Sequence, residues 1–248
     1  MRIVVYKLDK ENIEKLPKVL DKIILKKFGK LYAKVVLIKP NICGFYPPDL
    51  NLLDTLLAYL THISEVVIIG ETNSTIYKPE DRFKQLGIIE LMRKYGQKVK
   101  ALNLMKDKII KVQVMKPHTL KKIPLPRLVF SCDLLINLAR IGRHPTTIIT
   151  AASKNLFGLV ANSHKYIKYH IRGIDRVIAD IVKLVKPDIN IVEVKNNILV
   201  SEDILAVDII ATKLFGLNPL NVKHLNLIAI DEGFDLDEYL SLILVREI

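Results

Sequence analysis

Short apolar runs, each followed by a polar loop, recur along the chain. The clearest are AKVVLIK (33–39), SEVVIIG (64–70) and the run from Leu134 to Ile136. The first two are rich in Val and Ile and lie between charged residues, which predicts strands that are buried on both faces, as in parallel sheets. Helical patterns alternate with these runs. The chain is therefore predicted to be an α/β protein with a mainly parallel sheet flanked by helices.

The loops 39–49, 70–79 and 137–154 follow these three runs. In an open parallel sheet, ligands bind beyond the carboxyl ends of the strands, because the loops that leave those ends lie at one edge. We therefore expect the three loops to converge on one crevice.

The remaining patterns predict further elements. A helix is expected from Glu11 to Lys27, with Pro17 in a kink or close to the helix start, and Gly29 is expected to end it. Asp49 is expected to cap the helix 50–62, and Gly87 to interrupt the helix 80–95. The apolar runs 225–231 and 240–246 predict strands, and the proline-bearing segment 116–127 predicts an exposed connection.

The length of 248 residues fits a single α/β domain over 1–248, and it also fits two lobes, 1–128 and 129–248, with the crevice between them.

Mean hydropathy is +0.25, but the longest apolar runs are shorter than the ~18 residues that a membrane span needs. The segment MRIVVYKLDKEN lacks a secretory signal pattern. We expect a cytoplasmic protein with no membrane partner, and the oligomeric state stays open.

The two cysteines, Cys43 and Cys132, limit the cofactors that the chain can hold. They are too few for a disulfide framework. An iron–sulfur cluster takes four Cys ligands, so we expect none. A metal ion or an organic cofactor stays open.

The net charge of +12 is concentrated in the segment 93–127, where Asp107 is the one acid. Such a segment is either a set of solvated lysines or a surface that attracts nucleic acid, an acidic partner or an anionic metabolite. It contains one aromatic residue, Tyr95, and the chain has no Trp, so bases would find few rings on which to stack. Nucleic-acid binding is therefore predicted to be weak and non-specific.

The stretch from Asp133 to His170 begins as a strand and then carries many hydrogen-bond donors and almost no acid. Donors of this kind suit an anionic ligand. Pro145 is of a type favoured at the first helical position, so the pattern predicts a helix over 145–158 whose N-terminus would face the anion.

Lys154 is the leading candidate for a reactive side chain, because it lies among small and apolar residues. Burial and neighbouring arginines would lower its pKa and make it a nucleophile or a base. The alternative is a solvated lysine on an amphipathic helix. We predict that the catalytic residues are Lys154, His144 and His170, with the two histidines transferring protons or ligating a metal.

Residues that would bind the ligand are predicted in all three loops. Lysine, arginine and amide side chains would hold a carboxylate or phosphate, and Glu71 would act as a base or a metal ligand. Each of them also has an ordinary role in a turn or on the surface. The predicted ligand-binding residues are Lys39, Asn41, Glu71, Arg140, Arg143, Thr150 and Asn155.

The motif INLARIGRH-x5-T-x3-KN-x2-G (136–158) resembles the core motif of domain-of-unknown-function family 362. The segments 35–43, 66–74 and 202–219 are similar to other parts of the family pattern. The family has no general assigned activity, and some members carry a ferredoxin-like extension that this chain lacks. Gly142 replaces a lysine of the family turn, and a Gly-Pro-rich loop is shortened at 195–197, so the resemblance does not supply a substrate class.

The spacing of His144, Thr150, Lys154 and His170 is also similar to that in nickel-dependent lactate racemases. In those enzymes the lysine carries a pincer nucleotide cofactor, and histidines serve as metal ligand and proton carriers. The racemase glycines before the lysine are replaced here by 151–153. This similarity implies a metal or organic cofactor at Lys154 and its histidines.

Two functions follow from these patterns. The first is an enzyme or cofactor-binding protein that acts on an anionic small molecule in a crevice built by 39–49, 70–74 and 137–170. The second is a basic module without catalysis that binds nucleic acid or a protein through 93–127.

Overall fold

A computed structural model describes residues 2–162 and 164–248. The strands in that part of the chain are β1 (Ile3–Asp9), β2 (Ala33–Pro40), β3 (Ser64–Glu71), β4 (Val99–Asn103), β5 (Ile109–Gln113), β6 (Lys122–Pro126), β7 (Leu134–Arg140), β8 (Gly142–His144), β9 (Ile148–Thr150), β10 (Ile189–Val194), β11 (Asn197–Ser201) and β12 (Ile243–Glu247). The α-helices are α1 (Leu16–Phe28), α2 (Leu50–Ile63), α3 (Pro79–Gln85), α4 (Ile88–Tyr95), α5 (Leu128–Ser131), α6 (Ala152–Phe157), α7 (Lys165–His170), α8 (Ile174–Leu184), α9 (Ile204–Leu214), α10 (Lys223–Asp231) and α11 (Leu236–Ser241).

The main sheet has eight strands in the order β12-β1-β11-β10-β7-β2-β3-β4. Only β11 pairs antiparallel with its neighbours, β1 and β10, and the other pairings are parallel. The predicted fold class, a mainly parallel sheet flanked by helices, is confirmed. Strands from both halves of the chain interleave in this order, and the division into lobes 1–128 and 129–248 stays a prediction.

The sheet is covered on both faces, as its continuous apolar strands predict. Val36 and Ile38 of β2 pack in one buried cluster with α1 and α2, whereas Leu37 packs in the other with α6, α8 and α9. This alternation follows from the two-residue period of a strand. The carboxyl ends of β2, β3 and β7 therefore lie side by side at one edge of a rigid layer.

Several helix ends lie where the sequence predicts them. The Asp49 side chain accepts a hydrogen bond from the Asn51 amide and caps α2. Gly29 ends α1 with a φ of 68°, and Gly87 separates α3 from α4 with a φ of 72°. Pro17 lies in the first turn of α1, where its missing N–H costs nothing.

The C-terminal part of the chain corrects one prediction. The run 225–231 was predicted to be a strand and forms most of α10. Its buried residues Leu225, Ile228 and Ala229 follow helical spacing, and a short apolar run does not distinguish the two structures until its packing is known. The predicted strand 240–246 begins only at Ile243.

The proline-bearing segment 116–127 was predicted to be an exposed connection. Its second half is instead β6, which pairs antiparallel with β5. Ile123 and Leu125 are fully buried, whereas Pro124 between them is only half-buried. The burial of these two apolar side chains therefore favours a strand in spite of the prolines, which a two-stranded sheet tolerates at its edge.

The helix predicted over 145–158 is a hairpin followed by a shorter helix. β8 and β9 pair across Pro145, and α6 begins only at Ala152. The amides of Thr146 and Thr147 each donate to Nδ1 of His144 at 3.2 Å, which closes the turn. The predicted helix N-terminus at Pro145 is therefore wrong.

Candidate functional site

The carboxyl ends of β2, β3 and β7 open into a cavity of about 190 Å³. Its wall includes Asn41, Glu71 and Lys154, one residue from each of the three predicted loops. The expected convergence of the loops is confirmed. Residues of α6 and α7 complete the wall.

The floor of the cavity is formed around Lys39, which is only 1% exposed. Its ammonium donates to the Pro40 carbonyl at 2.9 Å, to a Glu71 carboxylate oxygen at 3.0 Å and to Oδ1 of Asn155 at 2.8 Å. An ammonium has three N–H donors, so all of those on Lys39 are used within the protein. The other Glu71 oxygen accepts from the Thr72 amide at 2.9 Å.

Asparagine side chains extend this arrangement under the sheet edge. The Asn155 amide nitrogen donates to the Lys39 carbonyl at 3.0 Å and to Oδ1 of Asn137 at 2.8 Å. Asn137 in turn donates to Oδ1 of Asn190 at 3.0 Å. We call Lys39, Glu71, Asn137, Asn155 and Asn190 the floor network. Its members are bonded mainly to one another and to backbone carbonyls, which gives it the character of a structural element.

Gly158 explains how α6 approaches this network so closely. A Cβ atom at that position would lie 2.9 Å from the Nζ atom of Lys39. Any larger residue would force the lysine or the helix to move. The motif K-N-x2-G is therefore needed for packing, whatever else it does.

The short helix α6 is anchored at its N-terminus by Asp208 of α9. The Asp208 carboxylate accepts from the amides of Ala152 and Ser153 at 2.8 Å each, and from the Ser153 hydroxyl at 2.6 Å. Burial raises the pKa of Asp208, and these hydrogen bonds oppose the shift. This contact fixes the turn that presents Lys154.

Lys154 is enclosed by the cavity wall, and its ammonium lies 5.8 Å from the centre of the Phe157 ring. Burial lowers its pKa to about 8, and the negative charge of Asp175 opposes the shift. The lowered pKa agrees with the expectation, but its cause is burial and not the neighbouring arginines. Lys154 has no hydrogen bond or salt bridge within residues 2–162 and 164–248.

His144 and His170 stand beside Lys154 on the same wall, with their ring centres 6.4 Å apart. Burial and the nearby charge of Lys154 lower the pKa of His144 to about 4 and also lower the pKa of His170. The ring of Tyr166 lies 4.0 Å from that of His170, centre to centre. The three predicted catalytic residues are therefore neighbours in space.

The remaining predicted ligand-binding residues divide into two groups. Thr150 and Asn41 line the cavity, and Thr150 is buried. Arg140, the last residue of β7, and Arg143, in β8, are exposed and do not line it. Binding of the cavity ligand through these two arginines has no support in this geometry.

Lys165 is a cavity residue that the sequence did not reveal. It is 5% exposed, and its ammonium donates to the Thr72 hydroxyl and the Gly158 carbonyl at 2.8 Å each. Burial lowers its pKa to about 8; Lys39 adds to the shift, and Glu71 opposes it. Its neighbours in sequence are polar, so no local pattern could have marked it as buried.

Tyr46 is a second such residue, and it explains a departure from the family motif. A Cβ atom at Gly142 would lie 2.3 Å from the Tyr46 ring. The ring occupies the space that the side chain of a larger residue would need.

Cys43 also lines the cavity, and burial raises the pKa of its thiol to about 12, which keeps it neutral.

Two searches of residues 2–162 and 164–248 bear on cofactors and partners. No group of three or more His, Cys, Asp or Glu side chains there is arranged to hold a metal ion. None of the helices in those residues is long and apolar enough to cross a membrane. His144 and His170 were the predicted metal ligands. Nδ1 of His144 accepts from two amides, so the neutral ring carries its proton on Nε2, and this arrangement gives no support to His144 as a metal ligand.

Comparison with known proteins gives a family and a distant structural similarity. No curated protein matches the chain. The chain is similar to the lactate racemase apoprotein from Thermoanaerobacterium thermosaccharolyticum, at 13% identity and a TM-score of 0.47, over 82% of this chain and 55% of that one. It thus spans about half of the length of that racemase chain. The family model described as "Domain of unknown function (DUF362)" matches residues 36–213. Because this match covers more than half of its residues, the chain belongs to that family, as the motif 136–158 indicated.

Proposed function

We propose that the protein binds a small organic anion in the cavity, with Lys154 as the cation that holds it, and that His144 and His170 move protons on the bound molecule. The observation that carries the proposal is the unpaired ammonium of Lys154, which faces the cavity and has no hydrogen-bond or salt-bridge partner in the described part of the chain. A buried charge is costly unless it is paired. An anionic ligand would supply the missing partner.

The two buried lysines of the cavity support this assignment by contrast. Lys39 is paired with Glu71, and Lys165 is bonded to Thr72 and Gly158. Lys39 uses all three of its N–H donors within the protein, and Lys165 uses two of its three. Lys154 is therefore the cavity lysine whose donors are all free for a ligand.

The histidines suit proton transfer because their lowered pKa values keep them neutral near pH 7. Nδ1 of His144 accepts from two amides, so in the neutral ring the proton is on Nε2. His144 can therefore donate a proton from Nε2, whereas a neutral imidazole with a free nitrogen, as proposed for His170, can accept one; together they meet the requirement for general acid–base catalysis. Native mass spectrometry with elemental analysis would identify any metal or organic group that accompanies the anion.

The test is calorimetric titration of the full chain with acetate, glycolate and inorganic phosphate. We expect Lys154→Met to weaken binding of the preferred anion at least ~10-fold, because the charge that pairs with it is lost. Lys168→Met is the matched control, since Lys168 is an exposed lysine of α7. Equal affinities in wild type and Lys154→Met would refute the proposal.

The weaker candidate is nucleic-acid binding by the segment 93–127. Its support is the β5–β6 hairpin, where Lys111, Lys121 and Lys122 are exposed. Lysines without aromatic neighbours contact phosphates and do not read bases, so binding would be weak and non-specific. A filter-binding assay that gave a strong sequence preference at physiological salt would contradict this.

A further inference from the structure

The mouth of the cavity is apolar although its interior is polar. Phe45 is 72% exposed, Ile76 68% and Tyr166 53%, and all three line the same cavity as Lys154. Large apolar side chains are usually buried, and a group of them that is exposed around a concave site marks a binding surface. We call Phe45, Ile76 and Tyr166 the apolar rim.

The apolar rim is continuous with the residues proposed to handle the anion. The Tyr166 ring lies 4.0 Å from the His170 ring, and the His170 ring lies 6.3 Å from the Phe157 ring over which Lys154 sits, measured between centres. A ligand that reached Lys154 from outside would therefore pass along these side chains. One end of it would meet a cation and the other end would meet apolar surface.

The charge inside the cavity limits the ligand further. Lys39 and Lys165 are already bonded, and Arg140 and Arg143 lie outside. Lys154 is the one of these cations with neither a hydrogen-bond acceptor nor an ion-pair partner in the described part of the chain, so it is the cation that a ligand can contact with all of its donors. A singly charged carboxylate matches this one ammonium, whereas a doubly charged phosphate would require direct contact with more than one cation.

We propose that the ligand is a free amphipathic monocarboxylic acid, with its carboxylate on Lys154 and its hydrocarbon tail against Phe45, Ile76 and Tyr166. This inference rests on the proposed function and narrows it to a substrate class. The hydrocarbon tail of this acid would cover the apolar rim. The experiments below distinguish it from two other partners that could cover the same residues, a second copy of the chain and a membrane surface.

The first measurement is a chain-length series, in which acetate, butanoate, hexanoate and octanoate are titrated into the full chain by calorimetry. Each added methylene that leaves water should tighten binding about fourfold until the tail extends past the apolar rim. Alkylammonium ions of the same lengths are the control for tail contact without the carboxylate, and we expect no binding. Inorganic phosphate should bind more weakly than butanoate.

The second measurement uses a matched pair of exposed isoleucines. In Ile76→Ser, the gain in affinity for each added methylene should fall from about fourfold toward no gain. Ile230 on α10 is 62% exposed and does not line the cavity, so Ile230→Ser should keep the full increment. Both substitutions are at exposed positions, where the cost to folding is small.

The outcomes separate the inference from the proposed function. If no carboxylate binds, or Lys154→Met binds as wild type does, the proposed function fails and this inference fails with it. If short and long carboxylates bind equally, the function stands and the amphipathic ligand is overturned. It is also overturned if the Ile76→Ser effect is confined to dimerisation measured by light scattering, or to sedimentation with anionic phospholipid vesicles.

Discussion

The floor network and the cavity wall each hold a lysine removed from bulk water, and the two lysines have opposite surroundings. Lys39 donates to Pro40, Glu71 and Asn155 and has no donor left. Lys154, which is half-buried on α6, has no such partner among the described residues. Burial of a charge therefore does not by itself identify a functional residue, because what distinguishes the two lysines is whether the protein supplies their partners.

Lys165 lies between these extremes. Its two hydrogen bonds go to a hydroxyl and a carbonyl, so it is satisfied without being paired with a carboxylate. Its charge contributes positive potential to the cavity, and its donors hold Thr72 and Gly158 in place. The comparison predicts that substitutions in the floor network act on stability, and that substitutions on the wall act on binding.

The largest expected effect is that of Lys39→Met. Removing one partner of a buried ion pair leaves the charge of Glu71 uncompensated, which typically costs about 3–5 kcal/mol of the free energy of unfolding. Urea denaturation measures it. The double variant Lys39→Met, Glu71→Leu should recover much of the loss, and a single variant as stable as wild type would contradict the assignment of Lys39 to structure.

A smaller loss is expected from Asp208→Ala. The change leaves the buried amides of Ala152 and Ser153 without an acceptor, at a cost of about 1–3 kcal/mol for each unsatisfied group. It also removes a carboxylate whose own burial is unfavourable, which offsets part of this cost. The exposed helix cap Asp235 is the control, where Asp235→Ala should cost about 1 kcal/mol. If urea denaturation gives the same small loss in the free energy of unfolding for both variants, Asp208 does not hold α6 in the way described.

Lys154→Met should change the free energy of unfolding least, by no more than about 1 kcal/mol. The substitution replaces a half-buried and unpaired charge with an apolar group of similar length. The effect depends on pH. The folded-state pKa of Lys154, about 8, is below its ordinary value of 10.5, so the unfolded chain holds more protons between those values. Wild type should therefore gain stability relative to Lys154→Met as the pH rises through this window. A relative loss over the same range would contradict the lowered pKa.

The parallel sheet could be predicted from the sequence because its strands are continuous apolar runs that end in recognisable turns. The run 33–39 and the helix cap Asp49 lie where the pattern put them. The run 225–231 was wrongly predicted to be a strand, because a short apolar segment forms a helix or a strand according to what covers it. The β8–β9 hairpin depends on contacts distant in sequence, such as that of Tyr46 with Gly142.

The site was predictable to the extent that local chemistry marks it. Lys154, His144 and His170 were predicted together because small and polar residues surround them in one stretch of the sequence. Lys165 was missed because its burial depends on Thr72 and Gly158, which lie in other segments. The directions of Arg140, at the end of β7, and of Arg143, in β8, could not be predicted, because a shift of one residue in the register of a strand reverses the direction of every side chain on it.

The central claim is that Lys154 is a half-buried cation whose partner is the ligand. NMR of the chain with ¹³C-labelled lysine side chains tests it most directly, with the Lys154 signal assigned by its loss in Lys154→Met. The account predicts that this signal titrates with a pKa of about 8, and that a saturating carboxylate raises the pKa because the anion stabilises the charged amine. Carboxylate affinity should then fall about tenfold for each pH unit above the pKa. A Lys154 signal that titrates at the ordinary lysine value, and does not move when carboxylate is added, would contradict the claim.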